Sequence, residues 1–284
     1  MGEIQTLTLS CADRPGITAG VFGYLFEQGG NVCEAQQFND PADNRFFMRI
    51  AFDPGTADVD AIRAGFAAIA REYGMRWQLR SQKRARKVVI MVSRFDHCLA
   101  DLLYRVRIGE MPMEVAAIIC NHPREALGHT NLRDIPFHYL PVTRETRQQQ
   151  EAQVRAVIEE SGAELVILAR YMQILSDGMA EFLSGQCINI HHSFLPGFKG
   201  ARPYHQAYAR GVKMIGATAH YVTADLDEGP IIHQDVETIT HADSPEELVR
   251  KGRDIERRVL AEAVRLHLDD RVLLNGNRTV VFRS

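Results

Sequence analysis

The chain has 284 residues, and its 33 Lys and Arg against 36 Asp and Glu give a formal charge of −3 at pH 7. This near-neutral balance argues against broad binding to nucleic acids or to anionic membrane surfaces. Hydrophobic residues make up 45% of the chain and charged residues 24%, which is typical of a globular protein with a sizeable core. No apolar run approaches the roughly 20 residues that a membrane-spanning helix needs. We therefore expect neither a nucleic acid nor a membrane as partner.

Cysteine usage and the first residues suggest a compartment. The five cysteines are odd in number and widely spaced, without a C-x-x-C pair, which argues against a disulfide framework and against a Cys-rich zinc site. The first five residues lack the basic segment and apolar run of a secretory signal. We expect a cytoplasmic protein with free thiols.

The first part of the chain has the pattern of a small α+β domain. Residues 4–10 alternate apolar and polar side chains, which predicts a half-buried strand. Asp13, Arg14, Pro15 and Gly16 form a turn signal before an apolar-periodic helix. Gly29, Gly30 and Asn31 are expected to end that helix. One helical face is predicted to contain Ile17, Val21, Leu25 and Phe26.

The following segments complete this domain and lead to a boundary. Strands are predicted at 32–38, 46–52 and 75–79, with a helix at 57–73, so the order is βαββαβ. Residues 80–87 then hold five basic residues in eight, which we interpret as a solvated linker, with a phosphate or partner patch as the alternative. The predicted domains are residues 1–82 and residues 83–284.

The second domain has the pattern of an open, mostly parallel α/β sheet. Continuous apolar runs at 88–92, 115–119 and 165–169 suit strands that are buried on both faces. Helices are predicted between these runs, at 98–108 and 145–161. Further strands are predicted at 188–190, 215–222 and 231–239. A long C-terminal helix is expected to begin at Ser244, with Pro and Glu in its first turn.

Polar and ionisable residues concentrate in the later part of this domain. Asn189 and His191 are two apart at the end of a predicted strand and so share a face, as do Thr218 and His220 in the next strand. Carboxyl ends of strands are where open α/β sheets bind ligands. A histidine in such a place is also compatible with a purely structural, hydrogen-bonded role.

A turn-rich loop follows with Asp225 and Asp227 in a D-x-D-x-G pattern. Each aspartate alone is explained by turn chemistry. The order of amide, imidazoles and carboxylates nevertheless indicates a catalytic site that contains Asn189, His191 and Asp227.

Several strings in this domain resemble the formyl-transferase fold family, which includes glycinamide ribonucleotide transformylase. They read NIH at 189–191, SFLP at 193–196, GATAH at 216–220 and DEGPII at 227–232. The resemblance covers about residues 88–268. Strings at 97–103 and 200–208 are most similar to members that remove the formyl group from formyltetrahydrofolate. The turn at 13–16 and the GGN at 29–31 make the first domain similar to the ACT domains.

The resemblance implies 10-formyltetrahydrofolate as the substrate. Asn189 and His191 would donate hydrogen bonds to the formyl oxygen, Asp227 would position a water and accept its proton, and His220 would orient Asp227 or the water. The resemblance also implies a substrate-binding role for the segment that follows the third apolar run, for which ordinary core packing is the alternative. The implied substrate-binding residues are Met172, Gln173, Ile174, Leu175 and Asp225.

The loop after the first apolar run bears on the acceptor. Ribonucleotide-using members resemble this chain but have a Gly-rich phosphate loop there, whereas this chain has SRFDH at 93–97, without glycine. Water is then the expected acceptor and hydrolysis to formate and tetrahydrofolate the expected reaction. A transferase that uses a small amine, and a non-catalytic folate- or amino-acid-binding module, are the alternatives. No metal-ligand spacing links the histidines with Asp227, and the resemblance implies neither a metal nor a required cofactor.

The resemblance of the first domain to ACT domains implies a regulatory role. Asp13, Gly16 and Asn31 are the candidate contacts for an amino-acid effector, with methionine or glycine as the candidates, whereas simple turn and cap roles are the alternative. Pairing of such domains predicts a homodimer or homotetramer.

Overall fold

The computed structural model describes residues 2–128, 130–197 and 203–283. It divides into two compact units. The first contains Met1–Ala85 with Asp269–Asn275 and Val280–Ser284, and the second contains Arg86–Leu268 with Gly276–Thr279. Two C-terminal segments thus belong to the first unit, while the boundary of folding domains after residue 82 stays a prediction. Residues 200–202 of the similarity string at 200–208 lie outside the described residues.

The first unit contains a four-stranded antiparallel sheet with two helices, in the predicted βαββαβ order. Its elements are β1 (Gln5–Ala12), α1 (Ile17–Glu27), β2 (Asn31–Asp40), β3 (Arg45–Asp53), α2 (Val59–Tyr73) and β4 (Arg76–Ser81). The strand order is β2-β3-β1-β4. Leu7, Val21 and Phe66 lie in the core between the sheet and the helices. The alternation in the sequence reflects one apolar sheet face, but the predicted half-buried strand is wrong for β1, because Gln5, Thr6 and Ser10 are buried as well.

One predicted core position of α1 is wrong. Ile17, Val21 and Leu25 are buried, but Phe26 is 81% exposed. At 3.6 residues per turn, Phe26 lies about 100° further round the helix than Leu25 and so leaves the apolar face.

The second unit is built on a seven-stranded sheet in the order β11-β10-β9-β8-β5-β6-β7. Its elements in chain order are β5 (Arg86–Val92), α3 (His97–Arg107), β6 (Met113–Cys120), a 3-10 turn (Arg124–Leu127), β7 (Phe137–Tyr139), α4 (Arg147–Ser161), β8 (Leu165–Leu168), α5 (Asp177–Phe182), β9 (Cys187–His191), α6 (Pro203–Arg210), β10 (Met214–Tyr221), β11 (Ile231–Thr238) and α7 (Pro245–Leu268). The strands from β9 to β7 are parallel, whereas β10 and β11 are antiparallel to their neighbours. The mostly parallel open sheet is confirmed.

The start of α7 confirms the predicted cap. The backbone N–H of Glu247 donates to the Ser244 hydroxyl at 3.2 Å, and the backbone N–H of Ser244 donates to the Glu247 carboxylate at 2.7 Å. These reciprocal bonds satisfy backbone donors that the helix itself leaves free.

The sequence analysis did not predict the short elements β7, α5 and α6, nor the C-terminal strands β12 (Val272–Asn275) and β13 (Arg278–Val281).

The interpretation of residues 80–87 as a linker is wrong for half of the segment. β4 continues to Ser81 and β5 begins at Arg86, so only residues 82–85 connect them. Arg86 is 7% exposed, and its guanidinium donates to the backbone oxygen of His267 at 3.1 Å. A basic residue can thus belong to a strand when its charged group donates to a buried acceptor.

No helix among the described residues has the length and apolarity needed to cross a membrane.

Candidate active site

The predicted site lies where β9 ends. Asn189 and His191 are among the last three residues of this strand. The antiparallel strand β10 places His220 opposite Asn189 and Thr218 opposite His191. Because residues two apart in a strand point to the same side, an amide and two imidazoles meet on one face.

Asp227 completes this cluster. Its Oδ1 lies 3.2 Å from Nδ1 of His191 and 3.8 Å from Nε2 of His220. Nδ2 of Asn189 lies 3.3 Å from the same Nε2 of His220. The structure therefore brings together the four residues that the sequence singled out for catalysis.

The second imidazole has a defined hydrogen-bonding direction. Nδ1 of His220 lies 2.9 Å from the backbone oxygen of Tyr221, which can only accept, so Nδ1 carries a proton. In the neutral ring, Nε2 then accepts from the Asn189 amide. Asn189 keeps a second N–H with which it can bind a substrate oxygen.

His191 presents a ring nitrogen that needs a partner. The residue is 5% exposed, its Nδ1–H donates to Asp227, and its Nε2 is buried with no hydrogen-bond partner in the described part of the chain. The ring stacks on that of His192, with centroids 5.0 Å apart and planes 20° from parallel. An unmade buried hydrogen bond costs about 1–3 kcal/mol, so Nε2 marks an atom that a bound substrate would satisfy.

The charge state of Asp227 follows from its neighbours. Burial raises the pKa of Asp227, but the hydrogen bonds and charges of His191 and His220 outweigh burial and hold this pKa well below its usual range. Asp227 is therefore a carboxylate at neutral pH, able to accept hydrogen bonds from a water and from Nδ1–H of His191.

The loop that carries Asp227 is fixed against β10 by a close backbone approach. A Cβ on Gly229 would lie 1.8 Å from the backbone oxygen of Tyr221, a position that only glycine allows. The backbone N–H of Tyr221 donates to the oxygen of Pro230 at 2.9 Å. Asp227 itself has a left-handed backbone, with φ 57°. This strain and this contact set the height of the carboxylate above the strand.

Thr218 holds the turn that follows His192. Its buried hydroxyl donates to the backbone oxygen of Ser193 at 2.9 Å and accepts from the backbone N–H of Leu195 at 3.0 Å. The Gln234 amide donates to the same hydroxyl at 2.9 Å. The role of Thr218, on the same face as His220, is therefore to hold this turn in place.

The predicted substrate-binding segment follows β8, whose Leu168 pairs with Asn189 of β9. Met172 and Ile174 are 50% and 60% exposed, so core packing does not explain them. Gln173 is half-buried, and Leu175 packs against the core.

The backbone of this segment is anchored, which leaves its exposed side chains free to face a ligand. The backbone N–H of Met172 donates to the Ser93 hydroxyl at 3.0 Å, and the Arg147 guanidinium donates to the oxygen of Ile174 at 2.5 Å.

Asp225 behaves differently from Asp227. Its side chain is exposed, and its backbone oxygen accepts from the Thr223 hydroxyl at 3.1 Å and from the Glu228 N–H at 3.2 Å. The turn chemistry considered for this motif is thus present at Asp225, which remains a candidate substrate contact only through its exposed carboxylate.

The regulatory candidates of the first unit separate into two places. Asp13 and Gly16 line one cavity of about 560 Å³, together with Asn39, whose amide donates to the Asp13 carboxylate at 2.8 Å. Asn31 begins β2, while Asn39 is near its end, so Asn31 lies at the opposite end of that strand. Within one chain these three candidates do not form one site.

Sequence reasoning missed Glu256, a buried carboxylate on α7. Glu256 is 1% exposed and lies on the buried face of α7, together with Leu248, Gly252 and Ile255. A charged residue bordering an apolar stripe was the available signal. Burial raises the pKa of Glu256, but His97, Arg170 and Tyr204 together outweigh burial and lower it.

Glu256 also belongs to the one group of possible metal ligands among the described residues, with His97 and Cys98. The Arg170 guanidinium, 3.3 Å from the Glu256 carboxylate, already supplies a positive charge there. Burial raises the pKa of the Cys98 thiol well above its usual value, which disfavours the thiolate that a metal needs. This chemistry does not fit a cation.

Comparisons with known proteins show which proteins this chain resembles. The formyl transferase family model matches residues 86–264. A formyltetrahydrofolate deformylase from Corynebacterium sp. is 48% identical over 284 residues, which is 98% of each chain. The crystal structure of a formyltetrahydrofolate deformylase from Burkholderia mallei superposes with a TM-score of 0.93 at 51% identity, covering 99% of this chain and all of that one. Another from Pseudomonas syringae gives 0.96 at 44% identity, covering 100% of this chain and 95% of that one.

Proposed function

This chain belongs to the formyltetrahydrofolate deformylase family, and we propose that it hydrolyses 10-formyltetrahydrofolate to formate and tetrahydrofolate. It is a hydrolase that acts on a C–N bond. The observation that carries the assignment of roles is the convergence of Asn189, His191 and Asp227, with Nε2 of His191 buried and unsatisfied.

The reaction adds water to the formyl carbon and breaks the bond from that carbon to the amine nitrogen. Negative charge develops on the formyl oxygen, where the free N–H of Asn189 donates to it, and the imidazolium form of His191 can add a second bond from Nε2–H. Asp227 accepts a hydrogen bond from the attacking water. One proton of this water passes to the leaving amine, which releases the secondary amine of tetrahydrofolate and formic acid, and the acid ionises to formate by losing its proton to solvent. His220 holds Asn189 through its Nε2.

The loop between β5 and α3 favours water over a phosphorylated acceptor. Asp96 stands at the N-terminus of α3, and its carboxylate accepts from the Thr130 hydroxyl at 2.5 Å. A phosphate bound at this helix end would face that negative charge. Phe95, 45% exposed, takes up space beside it.

The test is formate release from 10-formyltetrahydrofolate with no amine acceptor present. A hydrolase releases formate at the rate at which substrate disappears, whereas a transferase releases little and a binding module none. We expect His191→Ala and Asn189→Ala to lower kcat about 10²–10³-fold and Asp227→Asn to lower it about 10²–10⁴-fold. Glu228→Gln, an exposed carboxylate of the same loop, is the matched control. Near-normal formate release by Asp227→Asn contradicts the proposal.

A second function is proposed for the first unit, namely binding of an amino-acid effector such as methionine or glycine. The cavity beside Asp13 supports it, because the first turn of α1 starts there at Gly16 (φ 92°) with no side-chain cap on its N–H groups. These N–H groups suit a carboxylate, and Asp13 suits an ammonium group. Since Asn31 lies at the other end of β2, its participation needs a second copy of the chain, in line with the expected homodimer or homotetramer.

Calorimetry with methionine and with glycine tests this effector site, together with formate-release kinetics in the presence of each. We expect binding by the wild-type chain and at least tenfold weaker binding by Asp13→Asn. The absence of both a heat signal and a kinetic effect would leave the unit with an assembly role only. The cytoplasmic location and the assembly state remain predictions.

A further inference from the structure

Glu256 is a buried charged residue that the proposed chemistry does not use. Its Oε2 lies 2.8 Å from Nε2 of His97 and 3.3 Å from Nε of Arg170. Its Oε1 accepts from the Tyr204 hydroxyl at 2.7 Å. We call these four residues the Glu256 cluster.

The partners of Glu256 come from three different segments of the second unit. His97 opens α3 after the loop from β5, Arg170 follows β8, and Tyr204 is in α6. One carboxylate thus connects α7 to three segments that are far apart in the sequence. Such a connection fixes the positions of these segments relative to one another.

The Tyr204 branch leads to the catalytic imidazole. The Tyr204 ring lies 6.5 Å from the ring of His192, which in turn stacks on His191 at 5.0 Å. On the other side, a Cβ on Gly252 would lie 2.1 Å from the Tyr204 ring, so α7 lacks a side chain where this ring packs. The Tyr204 ring is thus held between its hydroxyl contact to Glu256 and the space at Gly252, with the His192 ring tilted beside it.

The Arg170 branch leads to the substrate-binding segment. Arg170 has a left-handed backbone, with φ 64°, and lies immediately before residues 171–175. Its side chain is 10% exposed, and its Nε and Nη1 make no hydrogen bond to a described residue. Its backbone oxygen accepts from the N–H of Ser93 at 3.3 Å, and the Ser93 hydroxyl accepts from the N–H of Met172 at 3.0 Å. The charge of Glu256 is what balances this guanidinium.

We propose that Glu256 is a positioning residue for deformylation, which holds the substrate-binding segment through Arg170 and the ring of His191 through Tyr204 and His192. This inference rests on the proposed function. The two branches have separable consequences: the Arg170 branch governs substrate affinity and the Tyr204 branch governs turnover.

The first test removes the charge of Glu256. Glu256→Gln leaves the Arg170 guanidinium buried without a counter-ion. We therefore expect KM for 10-formyltetrahydrofolate to rise about tenfold or more. The double variant Glu256→Gln with Arg170→Gln removes both charges. We expect its KM to return toward the wild-type value, because the two effects are coupled rather than additive. Glu246→Gln, an exposed glutamate in the first turn of α7, is the matched control.

The second test separates positioning from folding. Tyr204→Phe keeps the ring but removes its bond to Glu256, and we expect kcat to fall about tenfold with KM within twofold. If Glu256→Gln does not fold, the double variant and Tyr204→Phe decide. Wild-type KM and wild-type kcat per folded molecule in Glu256→Gln overturn the inference. Wild-type kinetics in Tyr204→Phe, combined with strictly additive effects of the charge variants, overturn it as well. Absence of formate release by the wild-type chain contradicts the proposed function instead.

Discussion

At Asp227, burial and charge act on the carboxylate in opposite directions. Burial disfavours the ionised form, while the imidazoles of His191 and His220 favour it and prevail, so its pKa lies well below the usual value. In the proposed mechanism, the residue that orients the water is thereby kept ionised by the same imidazoles, one of which also contacts Asn189. Site charge and site geometry depend on the same contacts.

This lowered pKa predicts an acid-dependent loss of stability. In the unfolded chain the Asp227 carboxylate binds a proton near pH 3.9, whereas in the folded chain it does so only at lower pH. Its contribution to the free energy of unfolding is therefore fully present above about pH 4 and is lost as pH falls toward the pKa of the folded state. Each unit of pKa difference corresponds to about 1.4 kcal/mol. We expect urea unfolding between pH 7 and pH 3 to show a smaller decline for Asp227→Asn than for the wild-type chain. Equal declines in the two proteins contradict this prediction.

At the scale of elements, the loop between β10 and β11 depends on one glycine. The backbone of Gly229 approaches the oxygen of Tyr221 so closely that a Cβ would lie 1.8 Å away, and Asp227 stands two residues earlier in the same loop. Backbone atoms of a strand cannot move aside as a flexible side chain can. Any side chain at position 229 must therefore displace the loop.

Gly229→Ala is accordingly expected to lower kcat at least tenfold while the far-ultraviolet circular dichroism stays unchanged, because the loop moves and the sheet does not. Steady-state formate release checks this. Gly178→Ala is the matched control, since its added Cβ has no neighbour within 4 Å and its backbone needs no positive φ. Equal activity of the two variants would show that the close approach does not position Asp227.

At the scale of the whole molecule, the first unit is assembled from both ends of the chain. Arg49 is 2% exposed and donates to the Glu34 carboxylate at 2.9 Å and to the backbone oxygen of Asp269 at 3.1 Å. Arg271 donates to the same carboxylate at 3.0 and 3.1 Å. Glu34 thus pairs with two guanidinium groups, one of them more than 230 residues away in the sequence.

Glu34→Ala should destabilise the chain, because it leaves Arg49 buried without its carboxylate. A fully buried pair broken in this way costs about 3–5 kcal/mol. Glu34 is 34% exposed, so solvent screens part of the interaction, and we expect about 1–3 kcal/mol in urea unfolding. Glu27→Gln, an exposed glutamate of α1, is expected to change stability by less than about 0.5 kcal/mol. Similar values for both variants contradict the role given to Glu34.

The elements whose periodicity is local were predictable from the sequence. Alternation identified β1, continuous apolar runs identified β5, β6 and β8, and the Ser–Pro–Glu pattern identified the start of α7, because backbone geometry and burial act within a few residues. The candidate site at Asn189, His191 and Asp227 was predicted in the same way, from polar residues at strand ends and from their order along the chain. Phe26 was misplaced because one residue rotates a helical position by about 100°.

What only the tertiary structure decided are contacts between residues distant in the sequence. The role proposed for the buried carboxylate of Glu256 depends on its contacts with His97, Arg170 and Tyr204. No local pattern predicts these partners. The same holds for the C-terminal segments that join the first unit and for the separation of Asn31 from Asp13. The sequence by itself determined which residues could carry the chemistry, since residue type and strand spacing are local. The fold decided which groups hold them in place, since the burial and pairing of a charge depend on everything packed around it.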